Sequence, residues 1–128
     1  MIEDHQLGEL QIIVTDEDPA ERGGIVVRWL GKSNSPSPDK ELGPVLQMAA
    51  DLAAAGKKKL IFSFQHLDFF NSATISVILR AVRSLRGRPI VLVMRYTEEK
   101  RWQKTFFVAF AAAGLDDVDN VQLEVVQL

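Results

Sequence analysis

The feature that most constrains this chain is a hydrophobic period that switches back and forth between Lys59 and Val126. Lys59–Phe64 (KLIFSF) is apolar with little alternation, the pattern of a strand buried on both faces. Ser72–Arg86 changes to helical spacing. Ile75, Ile78, Leu79, Val82 and Leu85 form one stripe, Ser76, Arg80 and Arg83 lie on the outer face, and Gly87 follows as the stop. Pro89–Met94 (PIVLVM) returns to a continuous apolar run. Thr97 is placed to cap a third helix, with Glu98 and Glu99 near its positive end. Trp102, Phe106, Ala109, Phe110 and Ala113 would be that helix's core stripe, and Gly114 would close it. Val121–Val126 alternates and reads as a final strand. Buried strands separated by amphipathic helices need crossover connections, which are right-handed, so the sheet is expected to be mostly parallel.

The first half supplies two further strands, Leu10–Val14 and Ile25–Leu30. They are joined through TDEDPAERGG, where Pro19, Gly23 and Gly24 suit a long hairpin connection and an antiparallel edge. Gly31–Pro38 is rich in turn residues and reads as a loop. A helix between Asp39 and Ala55 buries Leu42, Val45, Leu46, Ala49, Leu52 and Ala53, and Gly56 is its expected C-terminal cap. Pro44 is awkward if this helix starts at Asp39 and comfortable if the main helix starts at Pro44. The order is β-β-α-β-α-β-α-β, an α/β fold expected to form one domain over residues 1–128.

Several function classes drop out. The chain has no cysteine, which removes disulfides, thiolate metal sites and cysteine nucleophiles. Net charge is −2, so the molecule as a whole has no bias toward nucleic acid or membrane. The acidic start MIEDHQLGEL lacks a signal peptide's basic and apolar segments, and the longest apolar stretch, Phe106–Ala113, is too short to span a bilayer. A cytoplasmic location is expected. There is no Walker A loop, GxGxxG or HExxH. Only His5, in an expected loose terminus, and His66 could ligate metal, and neither has a partner at ligand spacing, so no metal or cofactor is expected. Ser72, His66 and Asp68 could be grouped as a hydrolase site. They are close in sequence, whereas a triad gathers its members from separate loops, and an enzyme is not expected.

Charge is unevenly distributed. Residues 57–104 hold eleven Lys/Arg against three Asp/Glu, and residues 1–56 hold four against ten. The basic half is either a solvated face or a docking face for an acidic partner. One segment joins a buried strand to the start of an amphipathic helix: Gln65-His66-Leu67-Asp68-Phe69-Phe70-Asn71-Ser72-Ala73-Thr74-Ile75. Parallel α/β sheets build sites at such strand ends. Asn71 and Ser72 both stand where an N-cap is expected, and one side-chain oxygen there would satisfy an orphan N–H. The same helix start would also stabilise a phosphoryl group on a serine.

At these residues the chain resembles STAS domains, the family of bacterial anti-anti-sigma factors. In them a strand leads through an Asp-Ser-Ser-Gly-like turn into a helix, and the first serine is phosphorylated. Here the turn is Asn71-Ser72-Ala73-Thr74, followed by Ile75, Ile78 and Leu79, and the element order matches from about Leu10 to Val126. The SiaC-like branch is similar in two further ways. Its turn begins Asn-Thr or Asn-Ser, and its Gly-x-Ser-x-x-Pro loop is matched by Gly31, Ser33 and Pro36 or Pro38, with Leu42 and Pro44-Val45-Leu46 at the following helix start. Asn71 replaces the usual acid, and Ala73 and Thr74 replace Ser-Gly. The resemblance implies a partner-switching regulator with Ser72 as phosphoacceptor, Thr74 and Ser76 being the competing hydroxyls. It also implies a serine kinase, a PP2C-type phosphatase, and a downstream anti-sigma factor or diguanylate cyclase. A homodimer stays open. The docking face expected from this is Asn71, Ala73, Thr74, Ser76, Arg80 and Arg83. The competing reading is an unphosphorylated STAS module that binds a small ligand or acts as a scaffold.

Overall fold

In a computed structural model, the described residues are 2–85, 87–114 and 120–127, Glu17 through its backbone only. The elements are β1 (Ile2–Leu7), β2 (Leu10–Asp18), a 3-10 turn (Pro19–Glu21), β3 (Gly24–Ser33), α1 (Asp39–Gly56), β4 (Leu60–Ser63), β5 (Leu67–Phe70), α2 (Ser72–Ser84), β6 (Leu92–Tyr96), α3 (Arg101–Ala112) and β7 (Val121–Val125). They form a sheet in the order β1-β2-β3-β4-β6-β7, with β5 also paired to β3. The β1-β2-β3 pairings are antiparallel, and every other pairing is parallel.

The path β3→β4→β6→β7 crosses the sheet in one direction with parallel pairing at each step. Right-handed crossovers then put α1, α2 and α3 on the same face. The core agrees. Ile25, Val27, Trp29, Leu60, Phe62, Phe64, Leu92 and Met94 meet Leu46 and Ala49 of α1, Ile78 and Val82 of α2, and Phe107 and Phe110 of α3. An aromatic chain runs Trp29–Phe64–Phe107–Tyr96, the last pair stacked at 4.5 Å.

Among the described residues the other face carries no α-helix. A small cluster of Val26, Ile61 and Val93 is buried there. Next to it, Arg28, Ser63, Arg95 and Glu124 stand in one register row across four strands. The β2–β3 connection folds toward this row. Arg28 Nη2 lies 3.1 Å from Asp18 Oδ2, and both Arg95 Nη atoms bond the Glu21 carboxylate. These hydrogen bonds hold the Asp18 and Glu21 carboxyls below the ordinary carboxylate range, and the Glu21 bond raises Arg95. Strand β4 is therefore buried on both faces as expected, by helices on one and by ion-paired side chains on the other.

Several sequence expectations are corrected. Ile2–Leu7, including His5, is an ordered edge strand on β2, because six residues pair along its whole length. Gly31–Ser33 continue β3 and pair with β5, so the loop is only Asn34–Pro38. Gly31 has φ +87, and a Cβ there would come within 2.2 Å of the Glu9 carbonyl. Helix α1 starts at Asp39 and keeps Pro44 inside it, at the cost of one hydrogen bond to the exposed first turn. Gly56 belongs to α1, and the left-handed cap is Lys57 at φ 52. The sixth strand is shifted to Leu92–Tyr96. Thr97 does not cap α3, which starts at Arg101. Its hydroxyl instead accepts from the Glu99 N–H.

The α3 stripe is also different. Gln103, Phe107 and Phe110 are buried, while Ala109 and Ala113 are exposed. Gln103 is needed inside. Its carbonyl accepts from the Thr97 N–H, and its amide donates to the Phe64 and Leu67 carbonyls at the break between β4 and β5, where the Leu67 N–H also reaches the Phe64 carbonyl and Lys100 Nζ the Leu67 carbonyl. The predicted end of the second helix at Arg86 lies outside the described residues. Among the described residues no helix is long and apolar enough to cross a membrane.

Candidate partner-binding site

Strands β4 and β5 lie end to end along the same edge of β3, so the chain reaches Asn71 beside Ser33, where the Asn71 N–H donates to the Ser33 carbonyl at 2.9 Å. Helix α2 begins at once. Asn71 is its N-cap: Oδ1 accepts from the Thr74 N–H at 2.9 Å and from the Thr74 hydroxyl at 2.7 Å. The Asn71 amide donates to the Ser35 carbonyl at 2.8 Å. The Thr74 and Ser33 hydroxyls are 2.6 Å apart, and both residues are buried. Four polar residues thus tie the loop before α1 to the turn before α2.

The sequence left two candidates for the cap, and the structure selects Asn71. The Ser72 hydroxyl is thereby released. Ser72 is exposed at the first residue of α2, and its hydroxyl makes no hydrogen bond among the described residues. Thr74 is fully buried, so it neither offers an accessible hydroxyl nor belongs to a docking surface, which corrects both of its expected roles. Ser76 is exposed but its hydroxyl donates back to the Ser72 carbonyl at 3.3 Å. Arg80 and Arg83 are exposed further along, and Ala73 is half-buried. Ser72, Ser76 and Arg80 recur every four residues, so they form one row on the solvent side of α2.

The hydrolase grouping is not assembled. Asp68 pairs with Lys100, His66 lies against Gln65, and neither bonds Ser72 among the described residues. Among those residues there is also no group of three or more His, Cys, Asp or Glu that could hold a metal ion. Sequence reasoning missed Ser33 as the buried partner of Thr74. It also missed Phe69, three residues before Ser72 and 46% exposed.

A mixed sheet with an antiparallel edge, parallel β-α-β steps and a strand-to-helix turn at Ser72 is the STAS-type α/β fold. Two solved structures make the likeness more specific. SiaC of Pseudomonas aeruginosa aligns over 99% of this chain and 98% of its own, with a TM-score of 0.62 and 17% identity. The crystal structure of diguanylate cyclase SiaD in complex with its activator SiaC, from the same organism, aligns over 96% of this chain and 97% of the matched one, with a TM-score of 0.59 and 16% identity. The chain has a SiaC-like fold. No family model matches the sequence, and no curated protein matches it either.

Proposed function

We propose that this chain is a partner-switching regulator without catalytic activity of its own, that Ser72 is its phosphoacceptor, and that its target is a diguanylate cyclase. The observation that carries the proposal is the division of labour in the turn. Asn71 caps α2, Thr74 and Ser33 are buried, and the Ser72 hydroxyl is left exposed and unbonded. A phosphate there meets the positive end of the α2 dipole and free first-turn N–H groups, so the folded protein accommodates it. A serine kinase would add it and a PP2C-type phosphatase would remove it. A cyclase is preferred over an anti-sigma factor because the fold matches SiaC, an activator seen in complex with one.

The docking face runs from Asn71 and Ser72 along Ser76, Arg80 and Arg83. Two exposed arginines attract carboxylates of the partner, and a phosphate at the head of the row repels them. The test is calorimetric titration with the partner cyclase, alongside intact-mass mapping after incubation with the partner kinase. Ser72→Asp, and Arg80→Glu combined with Arg83→Glu, should each weaken binding by about tenfold or more while the variants melt as wild type. Unchanged affinity in the charge-reversed variant moves the docking face elsewhere. Undiminished phosphorylation of Ser72→Ala removes Ser72 as the acceptor.

A further inference from the structure

Two turns meet at the end of β3 opposite the Asn71 turn. Residues 21–24 lead into β3, residues 56–59 lead from α1 into β4, and together they line an open recess of about 610 Å³. The turns are pressed together at Gly24, where a Cβ would stand 3.1 Å from the Glu21 carbonyl oxygen and 3.2 Å from that of Lys59. The Ile25 N–H donates to the same Lys59 carbonyl at 2.9 Å, so backbone fixes the two walls. Strand β3 runs ten residues from Gly24 to Ser33, which puts about 30 Å between this recess and Asn71.

The lining is basic. Arg22, Lys57 and Lys59 are exposed, and their side chains make no hydrogen bond or ion pair among the described residues. The other two charged groups are balanced locally: the Glu21 carboxylate by Arg95, and Lys58 Nζ by Asp16 at 2.8 Å. Three cations are thus left facing solvent from two walls. Among the described residues no aromatic and no large apolar side chain lines the recess. Arg22 at φ 55 and Lys57 at φ 52 are also the two non-glycine residues with positive φ among those described. That backbone region suits Gly or Asn, and holding a long side chain there costs stability. A cation at Lys57 also suits the negative end of α1; no such end explains Arg22, which follows a single 3-10 turn.

We infer that this recess binds a free diphosphate-type anion, held by Arg22 from one turn and by Lys57 and Lys59 from the other. The N–H groups of Arg22, Gly23, Lys57 and Lys58 are spent on nearby carbonyls, so the donors are side chains. Guanidinium and ammonium groups form charge-assisted hydrogen bonds to phosphoryl oxygens. Two linked phosphoryl groups present anionic oxygens to both turns at once, whereas phosphate or sulfate presents a single centre. With nothing aromatic or apolar in the lining to hold a base, the nucleoside part of a nucleotide adds nothing. The recess shares no residue with the proposed docking face, so its binding is independent of the proposed function.

The experiment is calorimetric titration of the protein, free of divalent cations and at fixed ionic strength, with diphosphate, phosphate, sulfate and ADP. Diphosphate should bind saturably at one site, about tenfold or more tighter than phosphate or sulfate, and ADP should bind no tighter than diphosphate. Arg22→Gly and Lys57→Gly should each weaken diphosphate about fivefold while the melting temperature holds or rises, because glycine suits the left-handed backbone. Residues kept only for the fold would leave affinity unchanged. Lys59→Gln should weaken diphosphate to a similar degree and serves if a glycine variant does not fold. Lys40→Gln removes the same charge from an exposed position outside the recess and should change affinity by less than about twofold. The assignment is overturned by absence of saturable diphosphate binding, by equal affinity for phosphate, by tighter binding of ADP, or by a loss in Lys40→Gln that matches the recess variants. The partner titration above is read separately, so either result can fail without the other.

Discussion

The Ser33–Thr74 contact makes a quantitative prediction about what fixes the turn. Thr74→Val keeps the side-chain shape and removes the hydroxyl that sits 2.7 Å from Asn71 Oδ1 and 2.6 Å from Ser33 Oγ. Asn71 Oδ1 still receives the Thr74 N–H, so it is not orphaned. Ser33 is, because its residue is 2% exposed and water has little access to replace the lost partner. A buried hydroxyl left unpaired costs about 1–3 kcal/mol, so Thr74→Val should lose about 2 kcal/mol. Ser33→Ala leaves the Thr74 hydroxyl donating to Asn71 and should lose only about 1 kcal/mol. In the double variant no hydroxyl is stranded, and the loss should stay near about 2 kcal/mol rather than the sum of about 3, a coupling of about 1 kcal/mol. Urea unfolding monitored by far-UV circular dichroism measures this, with Thr74→Val moving the midpoint by about 1 M at unchanged slope. Single effects that add to within about 0.3 kcal/mol would refute the claim that these hydroxyls bond each other.

Three further outcomes are expected. Gly31→Ala should cost about 2 kcal/mol or more in thermal unfolding, since the added Cβ meets Glu9 backbone at 2.2 Å; Gly8→Ala, with φ +66 and nothing within 4 Å, should cost only about 1 kcal/mol. Ile78 is fully buried, so Ile78→Asp should lose several kcal/mol, on the order of 3 or more, and a variant that melts like wild type would refute the placement of α2. The third concerns acid. Asp18 and Glu21 are held below their ordinary values of 3.8 and 4.5, so their contribution is full above those values and is lost as pH falls through the lowered ones. Chemical denaturation followed downward from pH 6 should therefore show this contribution level to about 4.5 and falling below it, and Glu21→Gln should flatten that fall.

Long elements with one strong period were readable from sequence. In α1, five of the six expected apolar positions are buried, because nothing polar interrupts the stripe. In α2 the outer face of Ser76, Arg80 and Arg83 is where the spacing put it. Failures came where a polar group does structural work inside. Gln103 occupies the centre of the α3 stripe because its amide joins two strand-end carbonyls to the Thr97 N–H, an arrangement that exists only after β4, β5 and β6 are assembled. Thr74 was read as a surface hydroxyl for the same reason: its partner, Ser33, is forty-one residues away in sequence. Strand β1 was missed because its alternation of Ile2, Asp4 and Gln6 with Glu3, His5 and Leu7 has little apolar contrast, and its order comes from pairing with β2. What was readable of the site is Ser72's position; which hydroxyl is free depended on the cap.

The tether through Asn71 has a consequence for how any modification at Ser72 would be sensed. The turn is held at Ser33 by the Asn71 N–H and at Ser35 and Thr74 by the Asn71 side chain, with no bond to the Ser72 hydroxyl among the described residues. A group attached to Ser72 Oγ thus displaces no existing hydrogen bond and has no lever on the surrounding backbone. Free protein with and without the group should superpose, and amide exchange in α1 and β3 should be the same in both. Beyond the contacts of the group with the α2 dipole and first-turn N–H groups, the energetic difference would then appear when a second molecule is pressed against that surface, as an added term in the dissociation rate or in the failure to associate. If the proposed modification occurs, it would act as a changeable label on a fixed frame, its two states distinguishable to a partner while nearly identical in backbone.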